Sequence, residues 1–328
     1  MDNSKIRLVY ILAASHSGST LLSLLLGAHP DVYTVGELKI SNLDDKERYL
    51  CSCGIKIKQC PFWNEVSARM AQKGLSFDVT NAGSNFTGIQ SAYCQKLLAP
   101  LHRGRILEAV RDVALWLSPE WRKHLRKVQH RNFLLMKTIL DITGKKVIVD
   151  SSKVGLRLKY LLRNPQIDVK VIRLVRDGRA VMLTYVDPAN YADAKNPALR
   201  QGGRGGNRER EKLPLEKAAR EWLRSNEEAE EVLKTLPRHR WIQLRYEDYC
   251  CNTRQELERL FEFIGVNPAK WPWPKMNRLE YHVIGNGMRL DWDGSVVLDE
   301  RWKQALTPKN LSTFGKISGS MNRKLGYL

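Results

Sequence analysis

The stretch from Leu8 to Glu37 most constrains this chain: a short apolar run (Leu8 to Leu12), a small polar segment (Ala13 to Thr20), then dense leucines closing at Gly27. This order reads as buried strand, tight loop and helix, because a strand-like run bounded by Ser and Gly is followed by enough leucine to bury most of a helix. Such a loop can hold an anion. Its first helical amides lack intrahelical partners, the helix dipole adds positive charge, and four hydroxyls (Ser15, Ser17, Ser19, Thr20) surround the permissive Gly18. A Walker loop is excluded, because the first glycine is missing and Ser19 stands where the lysine would be.

Two further units repeat the pattern. Val147 to Val149 is an apolar run ending in Asp150-Ser151-Ser152-Lys153, followed by apolar residues at Val154, Leu158, Leu161 and Leu162 in helical spacing. Val169 to Val175 is strand-like, Arg176 to Arg179 is a turn, and a helix follows. Uniformly apolar strands alternating with helices predict an α/β fold, P-loop-like and three-layered, with a central parallel sheet flanked by helices. Its ligand site would lie beyond the carboxyl ends of the strands.

The remainder is less regular. The 328 residues read as one domain with a helical, cysteine-containing insertion at about 40–130, where Ile106, Val110, Val113 and Leu117 form a packing face. A glycine-rich, charged stretch at about 187–213 reads as a mobile basic loop flanking the binding edge. Pro214 starts a long amphipathic helix, and Thr253 with Glu256 makes a capping box for a helix stopped by Gly265. Thr307 to Leu325 forms the last helix. Lys and Arg number 54 against 35 Asp and Glu, a net charge of +19 that suits phosphorylated or polyanionic ligands. No run reaches the roughly 20 apolar residues of a membrane span. With no signal peptide evident, the expected location is cytoplasmic, with reduced thiols. Cys51, Cys53 and Cys60 lack an obvious fourth ligand for structural zinc, so they read as buried or loop-packing cysteines, with a local disulfide open.

The anion loop, the DSSK segment and RLVRDGRAVMLT, in which Arg176 and Thr184 are eight apart, together resemble the sulfotransferase superfamily, in particular its bacterial carbohydrate-type and tyrosylprotein-type branches. LRYEDY, HVIGNGMR and the closing LDERWKQALTP…GSMNRKLGYL add to the resemblance. It implies transfer of a sulfuryl group from PAPS to an acceptor hydroxyl on a glycan or small molecule, with PAP released and no metal required. By the same resemblance Ser15, His16, Ser17, Gly18, Ser19 and Thr20 would hold the 5′ end, and Arg176 and Thr184 the 3′-phosphate. Tyr246 would lie by the adenine, and Arg289 would add to the 3′ site. Glu37, in register after AHP, would be the catalytic base. His16 replaces the usual basic residue of the loop, and Lys153 is the candidate to supply the missing charge. An ATP-dependent phosphotransferase and a polyanion-binding protein are the competing expectations. No nucleic-acid module is recognised, and the oligomeric state is not readable.

Overall fold

The computed structural model describes residues 5–39, 43, 47–99, 104–205, 208–273 and 283–328. His282 of the HVIGNGMR match, Gly206 and Asn207 of the glycine-rich stretch, and residues 40–42, 44–46 and 100–103 of the expected insertion lie outside the described residues.

A five-stranded, wholly parallel sheet organises the chain. It is built from β1 (Ile6–Ala13), β2 (Val32–Thr34), β3 (Val147–Lys153), β4 (Ile167–Val175) and β5 (Trp241–Arg245), in the order β2-β3-β1-β4-β5. The alternation along β1 explains why both faces are covered. Leu8, Tyr10 and Leu12 enter one core, and Val9, Ile11 and Ala13 enter the other. Against the second face pack α1 (Ser19–Gly27) and, further along the chain, α11 (Tyr246–Cys251) and α12 (Thr253–Ile264).

Helices α2 (Pro61–Gln72), α3 (Ala92–Leu97), α4 (Gly104–Leu117), α5 (Pro119–Thr143) and α6 (Gly155–Leu161) lie on the other side. After α7 (Gly178–Val186) come two single turns, α8 (Pro188–Tyr191) and α9 (Arg200–Gly203), and then the long α10 (Leu215–Leu233). Short α13 (Met288–Asp291) and α14 (Trp302–Ala305) precede the last helix, α15 (Pro308–Lys324), which a Thr307–Asn310 capping box starts.

Register sets the site. Ala13 pairs with Leu174, so Ser15 and Arg176 emerge level, two residues beyond that pair. On the other flank Tyr10 pairs with Asp150 but Leu12 with Lys153, which inserts a bulge into β3.

Four expectations change. The DSSK residues do not form a loop; β3 runs on through Lys153. Its polar side chains can be buried because they are satisfied. Fully buried Asp150 accepts from Arg157 Nε (2.9 Å), the Ser152 amide (2.9 Å) and the Leu38 amide (3.2 Å). Second, the apolar face of α4 points outward, with Ile106 80% and Val110 59% exposed. Its polar face is turned in, where Asp112 meets Lys159 (2.7 Å) and Arg163 (2.8 Å) of the α6 region and Glu108 meets Lys159 (3.1 Å). Third, α12 is capped at Asn252, not at Thr253, which is already its first helical residue. Gly265 does end it, at φ +82°. Fourth, the helix expected to lie within 88–130 runs on as α5 to Thr143, and a short edge strand, β2, which the sequence did not suggest, follows α1.

Candidate active site

A cleft of about 1220 Å³ lies at the carboxyl edge of the sheet. Ten of the expected site residues line it: Ser15, His16, Gly18, Ser19, Thr20, Glu37, Lys153, Arg176, Thr184 and Tyr246. Ser17 and Arg289 do not. Ser17 is 1% exposed, and its Oγ is buried without a hydrogen-bond partner.

The loop after β1 owes its shape to two left-handed residues, His16 (φ +63°) and Gly18 (φ +86°). Gly18 is obligatory on space as well as on φ. A Cβ there would sit 2.5 Å from the Tyr246 ring and 2.5 Å from the Tyr249 hydroxyl, which donates to the Gly18 carbonyl at 3.0 Å. The next hydrogen bond, Leu22 N to Gly18 O (3.1 Å), starts the helical ladder and leaves the earlier amides without intrahelical acceptors.

His16 packs edge-on against Tyr185, with ring centroids 4.7 Å apart. Burial, then Arg208, Lys153 and Arg176, bring its pKa down to about 3. Near neutral pH the imidazole is therefore uncharged.

Arg176 is fixed from four directions. Its Nη1 donates to the His16 carbonyl (3.0 Å), and its Nη2 to the Asp299 carbonyl and carboxylate (3.1 Å each). Its guanidinium lies 4.3 Å from the Tyr246 ring centroid. The turn that presents it is fastened from behind. Asp177 caps α7 through the Arg179 amide (2.9 Å), Glu247 accepts from the Asp177 amide (3.1 Å), and Asn322 of α15 accepts from the Gly178 amide (2.9 Å). A Cβ on Gly178 would meet Phe314 at 2.5 Å and Trp222 at 2.8 Å. Thr184, two turns into α7, donates to the Ala180 carbonyl at 3.0 Å. Tyr246 accepts from the Asp299 amide (3.2 Å) and donates to Val297 O (3.3 Å), tying the segment 297–299 across the cleft.

Glu37 forms an ion pair with Lys153 through Oε1, while Lys39 lies 3.6 Å from Oε2. Burial pushes the Glu37 carboxyl up, but Lys153 and Lys39 outweigh it and hold it below the ordinary glutamate range. Lys153, at φ +69° on the β3 bulge, also donates to Ser151 O (3.2 Å). The backbone beside Glu37 is set by an inserted segment. Ile284 N donates to Val35 O (2.9 Å), and a Cβ on Gly36 would fall 2.0 Å from Ile284 O.

Arg289 stands behind that segment, 4% exposed. Its guanidinium donates to the carbonyls of Val283 (2.7 Å), Asn286 (3.3 Å) and Leu50. It clamps backbone and does not line the cleft.

The sequence did not point to Asp193, Arg208, Asp299 or Arg301. Asp193 accepts from the amides of Ala194 (2.8 Å), Gln201 (2.9 Å) and Gly287 (2.7 Å) and from Arg208 (3.2 Å). It anchors the glycine-rich stretch as a wall of the cleft, where Gly202 O also accepts from Leu50 N (2.9 Å). The pairing Asp299-x-Arg301 was a faint signal, since carboxylate and guanidinium two apart pair at 2.8 Å. Nine basic and eight acidic side chains line the cleft, so most of the +19 lies elsewhere.

A stretch of 173 residues is 28% identical to human carbohydrate sulfotransferase 3, covering 52% of this chain and 36% of that protein. Over that stretch the chain is similar to a sulfotransferase. The chain thus matches about a third of the length of its curated relative. Among solved structures, the chain resembles the sulfotransferase domain of the Synechococcus olefin synthase (19% identity, 100% of this chain and 98% of that one, TM-score 0.47). It also resembles a sulfotransferase from Mycobacterium avium (11% identity, 98% and 78% covered, TM-score 0.49). No family model matches the chain. Among its described residues, no helix is long and apolar enough to cross a membrane.

Proposed function

We propose that the chain transfers a sulfuryl group from PAPS to an acceptor hydroxyl on a glycan or small molecule and releases PAP. The observation that carries this reading is the convergence, in one cleft, of the Ser15–Thr20 loop, the Glu37–Lys153 pair and the Arg176–Thr184 turn. The donor set fits an anionic nucleotide. Helix amides without intrahelical acceptors flank the close-approach Gly18, and Arg176 already holds a carboxylate, that of Asp299.

PAPS supplies the activated sulfuryl group. On this reading the amides and hydroxyls of Ser15, Ser19 and Thr20 orient its 5′ end, and Arg176 with Thr184 receives the 3′-phosphate once Asp299 withdraws. Tyr246 supports Arg176 and closes the cleft floor. Glu37, ionised near neutral pH, takes the acceptor's proton on Oε2, the oxygen that Lys153 leaves open. Lys153 keeps Glu37 ionised and is the fixed cation beside the loop, while neutral His16 serves as hydrogen-bond donor or acceptor only. No metal is assigned to the transfer step, since fixed cations and helix amides can offset the developing charge. We further infer that residues 1–328 act as one domain, with 40–130 and 187–213 shaping the acceptor side, and that the protein works in the cytoplasm.

Calorimetry with PAP, with ATP plus Mg²⁺ and with duplex DNA tests the reading. PAP alone should bind at a discrete 1:1 site. Preferential Mg²⁺-dependent ATP binding would instead indicate a phosphotransferase, and steeply salt-dependent DNA binding a polyanion binder. A screen of hydroxylated acceptors with labelled PAPS then identifies the acceptor.

A further inference from the structure

Three thiols converge outside the cleft. Cys51 and Cys53 flank Ser52 in a tight turn, in which Gly54 N donates to Cys51 O (2.9 Å) and Cys51 N to Ile55 O (2.8 Å). Cys60 follows the 3₁₀ turn Ile57–Gln59 and caps the N-terminus of α2. These two turns set Cys60 Sγ 3.7 Å from Cys51 Sγ and 3.8 Å from Cys53 Sγ, and all three sulfurs lie within 4.8 Å of one another.

The spacing is informative. Zinc–thiolate bonds of about 2.3 Å arranged tetrahedrally require sulfur–sulfur edges of about 3.8 Å, and two of the three edges already have that length. A disulfide needs about 2.05 Å, so either pair would have to close by about 1.7 Å and would strand the third sulfur. Access and charge also fit. Cys51 and Cys60 are buried while Cys53 is exposed, which leaves one side of the cluster open. Lys56, in the same turn, adds a positive charge, while Lys58 is paired with Glu47.

We propose that Cys51, Cys53 and Cys60 bind one thiophilic divalent cation of the zinc class, in a tetrahedral site whose fourth position is open to solvent. Each thiol passes its proton to solvent as its sulfur–metal bond forms, so up to three protons leave per cation and affinity falls on acidification. The cation is a staple for the cleft wall. Ser52 Oγ accepts from Val283 N (2.9 Å), and the Tyr49 hydroxyl accepts from Gly285 N (2.9 Å) and donates to Gly285 O (3.1 Å). The intervening Ile284 is the residue that sets the backbone beside Glu37.

The test is a Co²⁺ titration of the reduced full chain, read by the sulfur-to-cobalt charge-transfer band and followed by back-titration with Zn²⁺. Saturation at one Co²⁺ per chain, displacement by Zn²⁺, a rise in Tm with Zn²⁺, and no change in Cys251→Ser are expected. Cys60→Ser should abolish the band. Cys53→Ser, at an exposed position, should weaken binding at least tenfold and keeps the test valid if the buried substitution unfolds the chain. A folded, PAP-binding protein that gives no charge-transfer band with Co²⁺ would overturn the proposal, as would a Cys53–Cys60 disulfide in freshly prepared protein. Either result leaves the sulfotransferase reading intact, because PAP binding is measured separately.

Discussion

The Asp299 carboxylate accepts from the Arg176 guanidinium at 3.1 Å, so the cation expected to meet a nucleotide phosphate is already paired with an acid of the same chain. Arg301 holds Asp299 from the other side at 2.8 Å. Arg301 and Arg176 outweigh the effect of burial and bring the Asp299 pKa down to about 2, so the carboxylate is charged at any working pH. A phosphate arriving at Arg176 must compete with it. Asp299→Asn keeps the shape, removes the charge, and should tighten PAP on the order of tenfold, about 1.4 kcal/mol. Calorimetry checks this, and unchanged or weaker binding would show that Asp299 is not a competitor.

Arg176→Ala removes the cation itself. PAP affinity should fall by tenfold or more, with a smaller change in turnover at saturating PAPS. A variant that lost turnover but bound PAP normally would move Arg176 out of the nucleotide site.

Glu37→Gln should lower turnover by a factor on the order of 10² or more while PAP still binds. Full activity in this variant would end the base assignment. Lys153→Met separates charge from chemistry: without its principal cation the Glu37 carboxyl titrates higher, so the acid limb of the kcat/KM profile should move to higher pH.

His16 gives a pH signature of stability. Its folded pKa, about 3, lies below the unfolded value near 6.5, so the unfolded chain binds the extra proton in between. Stability from this residue is complete above the unfolded pKa and declines as pH falls from about 6.5 towards 3. His16→Asn should flatten the drop in Tm over that window. An identical Tm profile for variant and parent would mean that His16 titrates normally.

Gly18→Ala forces a Cβ into the two tyrosines at φ +86°. Destabilisation of about 1–3 kcal/mol is expected. Tyr249→Phe should restore part of it by removing the hydroxyl at 2.5 Å, and a denaturant double-mutant cycle reads the coupling.

The sheet was legible because three strand–loop–helix units carry their own periodicity, and its parallel register then levels Ser15 with Arg176 without further information. Two features resist sequence reading for physical reasons. The outer face of α4 has the same spacing as a buried one, and only the ion pairs of Asp112 and Glu108 with residues some fifty positions away turn it over. Arg289 sits in a basic, glycine-containing segment that suits a phosphate, yet its partners are backbone carbonyls as distant as Leu50, which no local pattern encodes. Asp299 gave only the faint local signal of its pairing with Arg301, since its meaning depends on Arg176, 123 residues away.

Asp193 shows how little chain can govern a wall. One carboxylate collects amides from Ala194, Gln201 and Gly287, drawn from three separate turns. Those segments therefore share one fastening point, and their amides should show a common opening free energy in hydrogen exchange.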